Sequence, residues 1–497
     1  MFQNNLLMAA DAATSGGGAA VTSIGNSAFF NKTNAEDLSR TNDTAQTNTK
    51  KWTYSTWIYK CENPVTTANG LLAGGTGTNN GRTSLFFTAG SLTGDSTFDE
   101  LKFQLFNSSL GWITRYSSMK LRDATGWYHI VLVYDAANAI AADTLIIYVN
   151  GVRAALNTEA AIPDNISLVN ANGVATVVGA ENSLTRVTFN GYMAETVMID
   201  GLALTPTSFG EYDTTGLYWT PLPPDTIKLL TFGNNGFYLD NSSNPETDAS
   251  GEGNNFTNNN TVTLSAMSPT NTIATFNPLV MWDDGTYTNG NLSYTFASPG
   301  YVRVPLSTLA IPTSGKWYAE WSFTNSATPD LGPAVDDGFF AQGLSSLTDS
   351  SSISGTNMIT YRTNGQKRIN ATDSSYGATH ASGDVIGIAV DMDAGTPTVT
   401  FYKNNSTQGA INLVTSDIPM FFSMWGSTIA EVATYNFGAS DFTYTPPTGH
   451  LALSTTNIAA ETTRTASDTN KYFQTTLYEG NGANQRIGAF QPFDSTF

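Results

Sequence analysis

The stretch "GDVIGIAVDMDAGTPTVTFYKNN", residues 383–405, decides the fold class of the chain. It consists of an apolar run, an aspartate, a turn of small residues and a second apolar run that ends in aromatic-x-Asn. An earlier stretch, "GWYHIVLVYDAANAIAADTLIIYVNG", residues 126–151, has the same order. Because short apolar runs bounded by turn residues are typical of antiparallel hairpins, both stretches predict paired β-strands.

Asp391 and Asp393 in the first stretch allow two interpretations. They lie two residues apart at a strand end, which would place both carboxylates on one face, as a metal site or an acid/base pair requires. Aspartates also accept backbone N–H bonds in turns, and Gly395 supplies the chain reversal. Since no second acidic cluster or histidine lies nearby in sequence, we interpret both as turn residues.

Two series of such strand patterns fill the chain, whereas amphipathic helical periodicity is hard to find. Many short strands with regular turn signals are typical of sandwiches whose sheets close over an apolar interior. The prediction is an all-β chain with two antiparallel β-sandwich (jelly-roll) domains in tandem and short arms at both ends. The expected boundaries are an N-terminal arm at 1–21, a first domain at 22–235, a linker at 236–274, a second domain at 275–455 and a C-terminal extension at 456–497.

Composition and charge argue against several classes of partner. The chain has 497 residues, of which 13% are charged, and its formal net charge is -19. A negative field of this kind repels phosphate backbones and anionic lipid, so we expect no nucleic-acid partner. The start of the chain lacks the basic region of a signal peptide, and no stretch is long enough to span a bilayer, so we expect no membrane insertion.

Few residues could support metal or redox chemistry. Cys61 is the only cysteine, which rules out an intrachain disulfide and a cysteine-based zinc or iron–sulfur site. The three histidines, His129, His380 and His450, are widely separated in sequence. We therefore expect no histidine-rich metal site.

The first domain carries three blocks in a characteristic order: "TGWYHIVLVYD", "DTLIIYVNGVRAAL" and "FNGYMAETVMIDGLALTPTSFGEYD". In this order they resemble the laminin-G-like branch of the concanavalin A-like jelly rolls. The second domain resembles a SPRY (B30.2-type) sandwich at "SGKWYAEWSF", "YRTNGQKRINATDSSYG", "SGDVIGIAVDMDAGTPTVTFYKNN" and "YNFGASDFTYTPPTG". It departs from that pattern at Asn405, where glycine is usual, and at Pro397, just before the second strand of the hairpin. Asn tolerates the left-handed conformation, and a proline at a strand's first residue loses no central hydrogen bond.

A laminin-G-like domain followed by a SPRY domain is similar to virion proteins of tailed bacteriophages, of the tail-fibre, appendage or head-fibre type. The resemblance implies a structural protein on the virion surface, made in the host cytoplasm and assembled with other virion proteins. It also implies an adhesin that binds a host-surface glycan or receptor through sandwich loops. Since single sugar sites bind weakly, we expect a homo-oligomer, with a trimer favoured. A purely structural capsid or tail decoration protein is the alternative, and a glycan hydrolase is the second alternative.

Catalytic residues are not predicted. The glucanase pattern of the concanavalin A-like superfamily needs its acids on one face of a strand. Its nearest match, Glu246, Asp248 and Glu252, has one spacing residue too many and no strand pattern beneath it. No Gly-x-Ser-x-Gly, HExxH or Walker-type motif is present. We therefore expect that the chain is not an enzyme.

No cofactor or metal is predicted, with calcium as the open alternative, since some laminin-G-like domains bind it through loop oxygens. The loop aspartates that could serve are Asp95, Asp99, Asp135 and Asp143 in the first domain and Asp330, Asp336 and Asp337 in the second. Without a dense DxDxDG run, solvated turn acids are the preferred interpretation.

Aromatic rings on loops are the candidates for sugar recognition, because a pyranose face stacks on a flat ring while amides and acids bind the hydroxyls. The candidate ligand-binding residues are Trp112, Trp282, Tyr376 and Trp425, with Asp336 and Asp337. Packing in a core or between domains is the competing interpretation of each ring. Trp127 and Trp317 are predicted to be core residues.

Overall fold

The computed structural model describes residues 23–458, apart from 63–66, 76–80, 90–98, 164–167, 182–186, 215, 280–284, 296–304, 325–334, 341–357, 370–371, 414–419 and 427–431. Strands dominate the described ranges. The helices there are single turns: 3₁₀ turns at Lys32–Asn34, Ala141–Asp143 and Pro206–Ser208, and α1 at Pro224–Ile227. None of the described helices has the length and apolar composition needed to cross a membrane. The all-β prediction is confirmed, while residues 1–21 and 459–497 of the expected arms lie outside the described residues.

The first sandwich contains two sheets and a short hairpin. Its strands are β1 (Ser27–Phe30), β2 (Asp37–Thr41), β3 (Lys51–Lys60), β4 (Asn69–Gly75), β5 (Arg82–Phe87), β6 (Glu100–Asn107), β7 (Gly111–Lys120), β8 (Trp127–Asp135), β9 (Leu145–Val149), β10 (Val152–Arg153), β11 (Ala175–Val178), β12 (Gly191–Asp200), β13 (Gly210–Tyr212), β14 (Trp219–Pro221), β15 (Phe237–Leu239), β16 (Thr257–Asn259) and β17 (Thr263–Ser265). Sheet 1 has the order β10-β9-β8-β3-β12-β1-β17, and β15 also pairs with β12. Sheet 2 has the order β16-β2-β11-β4-β5-β6-β7, and β13 pairs with β14.

Sheet 1 is buried on both faces, which explains why its central strands are almost continuously apolar. In β8, Ile130 and Leu132 point into the inner core between sheets 1 and 2. Their neighbours Val131 and Val133 belong to a second apolar cluster on the outer side of the sheet. Alternate residues of a strand face opposite sides, so a strand covered on both sides needs apolar residues at every position.

The second sandwich also contains two sheets. Its strands are β18 (Thr286–Thr288), β19 (Ser293–Thr295), β20 (Lys316–Thr324), β21 (Val335–Phe340), β22 (Met358–Arg362), β23 (Gln366–Ile369), β24 (Thr372–Ser375), β25 (Val385–Asp391), β26 (Thr398–Lys403), β27 (Ser406–Asn412), β28 (Phe421–Gly426), β29 (Val432–Asn436) and β30 (Leu451–Ala452). Sheet 3 has the order β18-β19-β29-β20-β25-β26-β27, with β30 on β20, and sheet 4 has the order β24-β23-β22-β21-β28. The β20–β30 pair is parallel, unlike the antiparallel pairing predicted for the domain.

Residues 383–405 form the predicted hairpin of β25 and β26. Asp391 ends β25, and its Oδ1 accepts hydrogen bonds from the backbone N–H groups of Asp393 and Ala394, both at 3.0 Å. Its Oδ2 lies 2.7 Å from Lys316 Nζ, and Asp393 Oδ1 accepts from Gly315 N at 2.7 Å. Asp391 thus acts as a turn acceptor, in agreement with the turn interpretation, whereas Asp393 accepts from the loop before β20.

The stretch 236–274, predicted to be a linker, instead contributes three strands to the first sandwich. Strand β15 pairs with β12, β16 with β2 and β17 with β1. The loop between β15 and β16 is held by Asp248, which accepts from the backbone N–H groups of Tyr238, Ser250 and Asn254. Each of these strands is only three residues long, and the segment is rich in Asn, Ser and Gly. A strand of three residues is too short to show an alternation of apolar and polar residues. The prediction of a linker therefore rested on composition alone.

A single apolar cluster, the shared core, joins the two sandwiches. It includes Tyr59 and Tyr192 of sheet 1 together with the interior of the second sandwich. Tyr59 Oη lies 3.2 Å from Thr275 Oγ1, and Tyr192 Oη donates to the carbonyl oxygen of Gly290 at 3.2 Å. Trp127 and Trp317, 8% and 3% exposed, also lie in this cluster, as predicted for core residues.

Candidate functional site

The outer face of sheet 2 at β5, β6 and β7 combines aromatic, charged and polar side chains. Leu85 of β5 and Phe103 of β6 point into the inner core, so their strand neighbours point outward. Cross-strand pairing arranges the outward residues in three rows. The rows are Arg82, Phe106 and Trp112; Ser84, Gln104 and Thr114; and Phe86, Lys102 and Tyr116. We call these nine residues the β5–β7 face.

Trp112 is the aromatic residue that this face presents to solvent. It is 49% exposed, and its ring centroid lies 4.9 Å from that of Phe106 with the planes tilted by 53°. The guanidinium carbon of Arg82 lies 5.7 Å from the centroid of the same ring. An indole that is half exposed and supported by two neighbours is a preformed surface on which a flat or apolar ligand face can stack.

Charge on this face comes from Arg82, Lys102 and Glu181. Arg82 Nη2 forms an ion pair with Glu181 Oε1. Burial raises the pKa of Glu181, and the neighbouring Arg82 and Lys102 oppose that shift. Gly70 of β4 makes room for the segment that carries Glu181, because a Cβ at Gly70 would lie 1.7 Å from the Glu181 nitrogen. The carboxylate therefore reaches the face from a loop that crosses β4.

The middle row supplies polar groups between the aromatic rows. Gln104 Nε2 donates to Thr114 Oγ1 at 3.4 Å. Ser84 Oγ and Arg82 Nε are buried, and neither has a hydrogen-bond partner among the residues that the structure describes. Aromatic surface beside amide, hydroxyl and guanidinium groups suits a polyhydroxylated ligand, whose ring faces are apolar and whose edges are polar.

The other predicted aromatic residues lie elsewhere. Tyr376 is a packing residue of the second sandwich: its hydroxyl donates to the Gly409 carbonyl oxygen and accepts from Phe401 N at 3.4 Å. Its ring packs edge-on against Tyr361, with centroids 5.3 Å apart. These contacts favour the packing interpretation of Tyr376, and a ligand role for its ring stays a prediction. Trp282 lies outside the described residues.

Three candidates of the second domain meet in sheet 4. Asp336 of β21 is directly opposite Trp425 of β28, and Asp337 is opposite Met424. The register thus places Asp336 and Trp425 at facing positions of neighbouring strands. They lie in a different sandwich from Trp112, so the structure divides the predicted set between two surfaces, and a ligand role for the sheet 4 residues stays a prediction.

Each described loop aspartate of the first domain that was considered for calcium has a cationic partner. Asp99 Oδ1 lies 2.6 Å from Lys60 Nζ, and both side chains are fully buried. The other two ion pairs are Asp135 with Lys51 at 2.9 Å and Asp143 with Arg153 at 2.6 Å. Asp95 and Asp330 fall outside the described residues. Across the ranges that the structure describes, no three His, Cys, Asp or Glu side chains come together to hold a metal ion.

His129 is the histidine with the most perturbed environment, and its contacts are structural. Trp219 Nε1 donates to His129 Nδ1 at 2.8 Å, so the ring proton is on Nε2, which lies 2.8 Å from Ser55 Oγ. The imidazole stacks on Trp57 with centroids 4.7 Å apart. Burial lowers the pKa of His129 to about 3. A neutral ring with both nitrogens engaged by the protein has no free position for substrate.

Sequence reasoning identified Trp112 but missed Arg82, Lys102 and Glu181. In "RTSLFF" and "LKFQLFN", the alternation of residue types predicts that Arg82 and Lys102 point away from the core-facing side of their strands. The sequence therefore did carry a signal for these two residues. Glu181 carries no such signal, because it reaches the face from a distant loop. Only the crossing of that loop over β4 places it beside Arg82.

Comparison with known families matches two segments of the chain. Residues 33–208 match the family described as the concanavalin A-like lectin/glucanases superfamily, of the laminin G type. Residues 341–439 match the SPRY domain. Among curated proteins, no match to the chain was found.

Several solved structures are similar to parts of the chain. The SPRY domain of human HERC1 is 17% identical, covers 31% of this chain and 92% of its own, and has a TM-score of 0.26. A putative carbohydrate binding protein from Bacteroides ovatus is 19% identical over 48% of this chain and 58% of its own, with a TM-score of 0.34. A heptameric SAP-like pentraxin from Limulus polyphemus is 15% identical over 49% of this chain and 96% of its own, with a TM-score of 0.28. Together, the two family matches and the four sheets show that the chain contains a concanavalin A-like domain of the laminin G type followed by a SPRY domain.

Proposed function

We propose that this chain is a binding protein rather than an enzyme, and that it holds a saccharide on the β5–β7 face. The observation that carries the proposal is Trp112, which is half exposed while Phe106 and Arg82 support its ring. A pyranose ring can stack on the indole, and the polar groups of Gln104 and Thr114 can bind its hydroxyls. Glu181, the acid beside Arg82, is paired with that arginine instead of facing a second carboxyl group across a cleft.

Weak single sites favour several copies. A shallow sugar site typically gives about millimolar affinity, roughly 4 kcal/mol, so useful attachment needs multivalency. We propose a homo-oligomer, with a trimer favoured, that presents several β5–β7 faces to one glycan-bearing surface.

We further propose that the chain is a virion-surface protein of a tailed bacteriophage, a tail-fibre or appendage component whose partners are other virion proteins and a host-surface glycan or receptor. The support is the order of a laminin-G-like domain and a SPRY domain, together with the sequence blocks that resemble such proteins. Immunogold labelling of intact particles with antibody against the chain tests this. Labelling at the tail or appendage is expected, and particles without label would overturn it.

The binding role is tested with Trp112→Ala. Loss of the stacking surface should weaken glycan binding about fivefold or more, because an aromatic contact of this size contributes about 1 kcal/mol or more. Binding of the recombinant chain, multimerised on beads, is measured on a glycan array. Tyr212→Ala is the matched control, since Tyr212 is also aromatic and 49% exposed but lies on the β13–β14 hairpin.

Two results would overturn the proposal. One is an array on which the multimerised wild-type chain binds no glycan, which together with tight association with particles would favour the decoration role. The other is a Trp112→Ala variant that binds as the wild type does. Release of new reducing ends from a bound polysaccharide would show instead that the chain is a glycan hydrolase.

A further inference from the structure

The charge on the β5–β7 face is opposite in sign to that of the chain. The whole chain carries a formal net charge of -19. Among the described residues, Arg82 and Lys102 contribute two positive charges to the face, and Glu181 beside it contributes one negative charge, which leaves a net charge of +1. At the edge of the face, Glu100 and Lys120 lie 3.9 Å apart and balance each other. A local excess of positive charge on so acidic a protein marks this face as a site for an anionic group.

We assign the net positive charge of the β5–β7 face to the ammonium group of Lys102. Its Nζ lies 5.6 Å from the ring centroid of Phe86, which is 6% exposed. No ion pair of Lys102 occurs within the described ranges. Burial lowers the pKa of Lys102 and outweighs the nearby Glu181 carboxylate. Its ammonium group is thus incompletely solvated, and an anionic group of a ligand would stabilise it.

Arg82 is held in place next to the stacking ring. One terminal nitrogen binds Glu181, and the guanidinium carbon lies over Trp112, while Nε is buried with no hydrogen-bond partner in the described part of the chain. On β6, Lys102 and Phe106 are four residues apart, which separates their rows by about 13 Å along the strand. The face therefore has an aromatic end at Trp112 and a cationic end at Lys102, with room for more than one sugar ring between them.

We infer that the saccharide bound by the β5–β7 face is anionic, with a carboxylate or sulfate group placed at Lys102 while another ring, farther along the same glycan, stacks on Trp112. This inference rests on the proposed function. It adds that the ligand is negatively charged and that Lys102 binds its charged group. The shared chemistry is an oxyanion on a sugar, whether it comes from a uronic acid, a sialic acid or a sulfate ester.

The experiment uses the full chain on an array that carries each glycan as a matched pair, neutral and carboxylated or sulfated. Binding is measured at about 20 and 500 mM NaCl, since screening weakens contacts between exposed charges. Lys102→Gln is compared with Lys367→Gln in the second sandwich. Lys367 is a close match, because its Nζ lies 5.5 Å from the Tyr376 ring centroid. Circular dichroism confirms that both variants are folded.

The expected result is binding of the anionic members only, about tenfold weaker in Lys102→Gln and in high salt, with Lys367→Gln unchanged. Equal binding of neutral and anionic members, still lost in Trp112→Ala, would overturn the inference and leave the proposed function standing. Anionic binding that Lys102→Gln does not weaken would overturn the assignment to Lys102. Absence of binding to every glycan would overturn both proposals.

Discussion

Glu195 is a buried acid at the point where β12 changes partner. It lies in a β-bulge, between the pairs that Ala194 and Val197 form with β3, and its φ of 51° is unusual for a residue other than glycine. Along its other edge, β12 pairs with β1 before the bulge and with β15 after it. Glu195 accepts a hydrogen bond from Tyr238 Oη, so the bulge residue ties β15 to the sheet.

The protonation of Glu195 should make stability depend on pH. Burial raises its pKa from 4.5 to about 8, so the native state keeps a proton that the unfolded chain releases. The contribution of protonated Glu195 to the free energy of unfolding is therefore fully present below pH 4.5. It is lost as the pH rises toward 8, by at most about 1.4 kcal/mol per pH unit. Glu195→Gln keeps the shape and removes the titration, so its stability relative to wild type should increase from pH 5 to pH 8 in urea unfolding.

Glu211→Gln on the exposed face of β13 is the control, and its stability relative to wild type should stay constant over the same range. A Glu195→Gln variant whose pH profile runs parallel to that of the wild type would contradict the assignment.

At the scale of elements, the Lys60–Asp99 ion pair connects sheets 1 and 2. Lys60 is the last residue of β3, and Asp99 immediately precedes β6. Lys60 Nζ donates to Asp99 Oδ1 and to the carbonyl oxygen of Leu121, just after β7, both at 2.6 Å. Burial lowers the pKa of Lys60, and the Asp99 carboxylate opposes that shift. The pair thus holds the end of one sheet against the other in a region without water.

Removing one partner of this pair should be far more costly than removing an exposed pair. Asp99→Asn leaves a buried ammonium without its counterion and should cost about 3–5 kcal/mol of unfolding free energy. Arg153→Met, which removes the more exposed pair with Asp143, should cost about 1 kcal/mol or less. Chemical denaturation measures both. An apolar double replacement, Lys60→Met with Asp99→Leu, should be less destabilising than Asp99→Asn alone; a more destabilised double variant would refute this account.

At the scale of the whole molecule, the shared core makes the two sandwiches one packed unit. The backbone N–H of Ala266 donates to the carbonyl oxygen of Ala439 at 3.2 Å, and Ser265 Oγ donates to the same oxygen at 3.2 Å. Ser265 ends β17 of the first sandwich, whereas Ala439 follows β29 of the second. Backbone hydrogen bonds and apolar side chains both cross the junction, so the two domains should unfold together.

Gly290 tests this junction. At its φ of 68°, a Cβ would lie 2.1 Å from Tyr192 Oη in the shared core. Gly253 has a similar φ of 79°, but a Cβ there would have no atom within 4 Å. Gly253→Ala should therefore cost only the backbone strain of about 1–2 kcal/mol, and Gly290→Ala should cost clearly more. Thermal unfolding compares the two, and equal losses of stability would show that the contact with Tyr192 does not hold the sandwiches together.

Much of the fold and part of the site could be predicted from the sequence. Alternation and turn residues predicted the hairpin at residues 383–405, and the solvent-facing Trp112 was among the candidate rings. The packing contacts of Tyr376 could not be predicted, because flanking turn residues do not reveal that its hydroxyl is hydrogen-bonded to Gly409 on another strand. Lys102 was missed because its role depends on Phe86, which lies opposite it only once β5 and β6 have paired.

The sequence by itself determined the all-β class, the two sandwich domains and the turn role of Asp391, because strand period and turn chemistry are local properties. Tertiary structure alone decided that residues 237–265 complete the first sandwich, that both sandwiches share a core, and that Glu181 reaches Arg82. These contacts join residues that are far apart in the chain. Which of them form depends on how sheets pair and pack as a whole, and no short stretch of sequence carries that information.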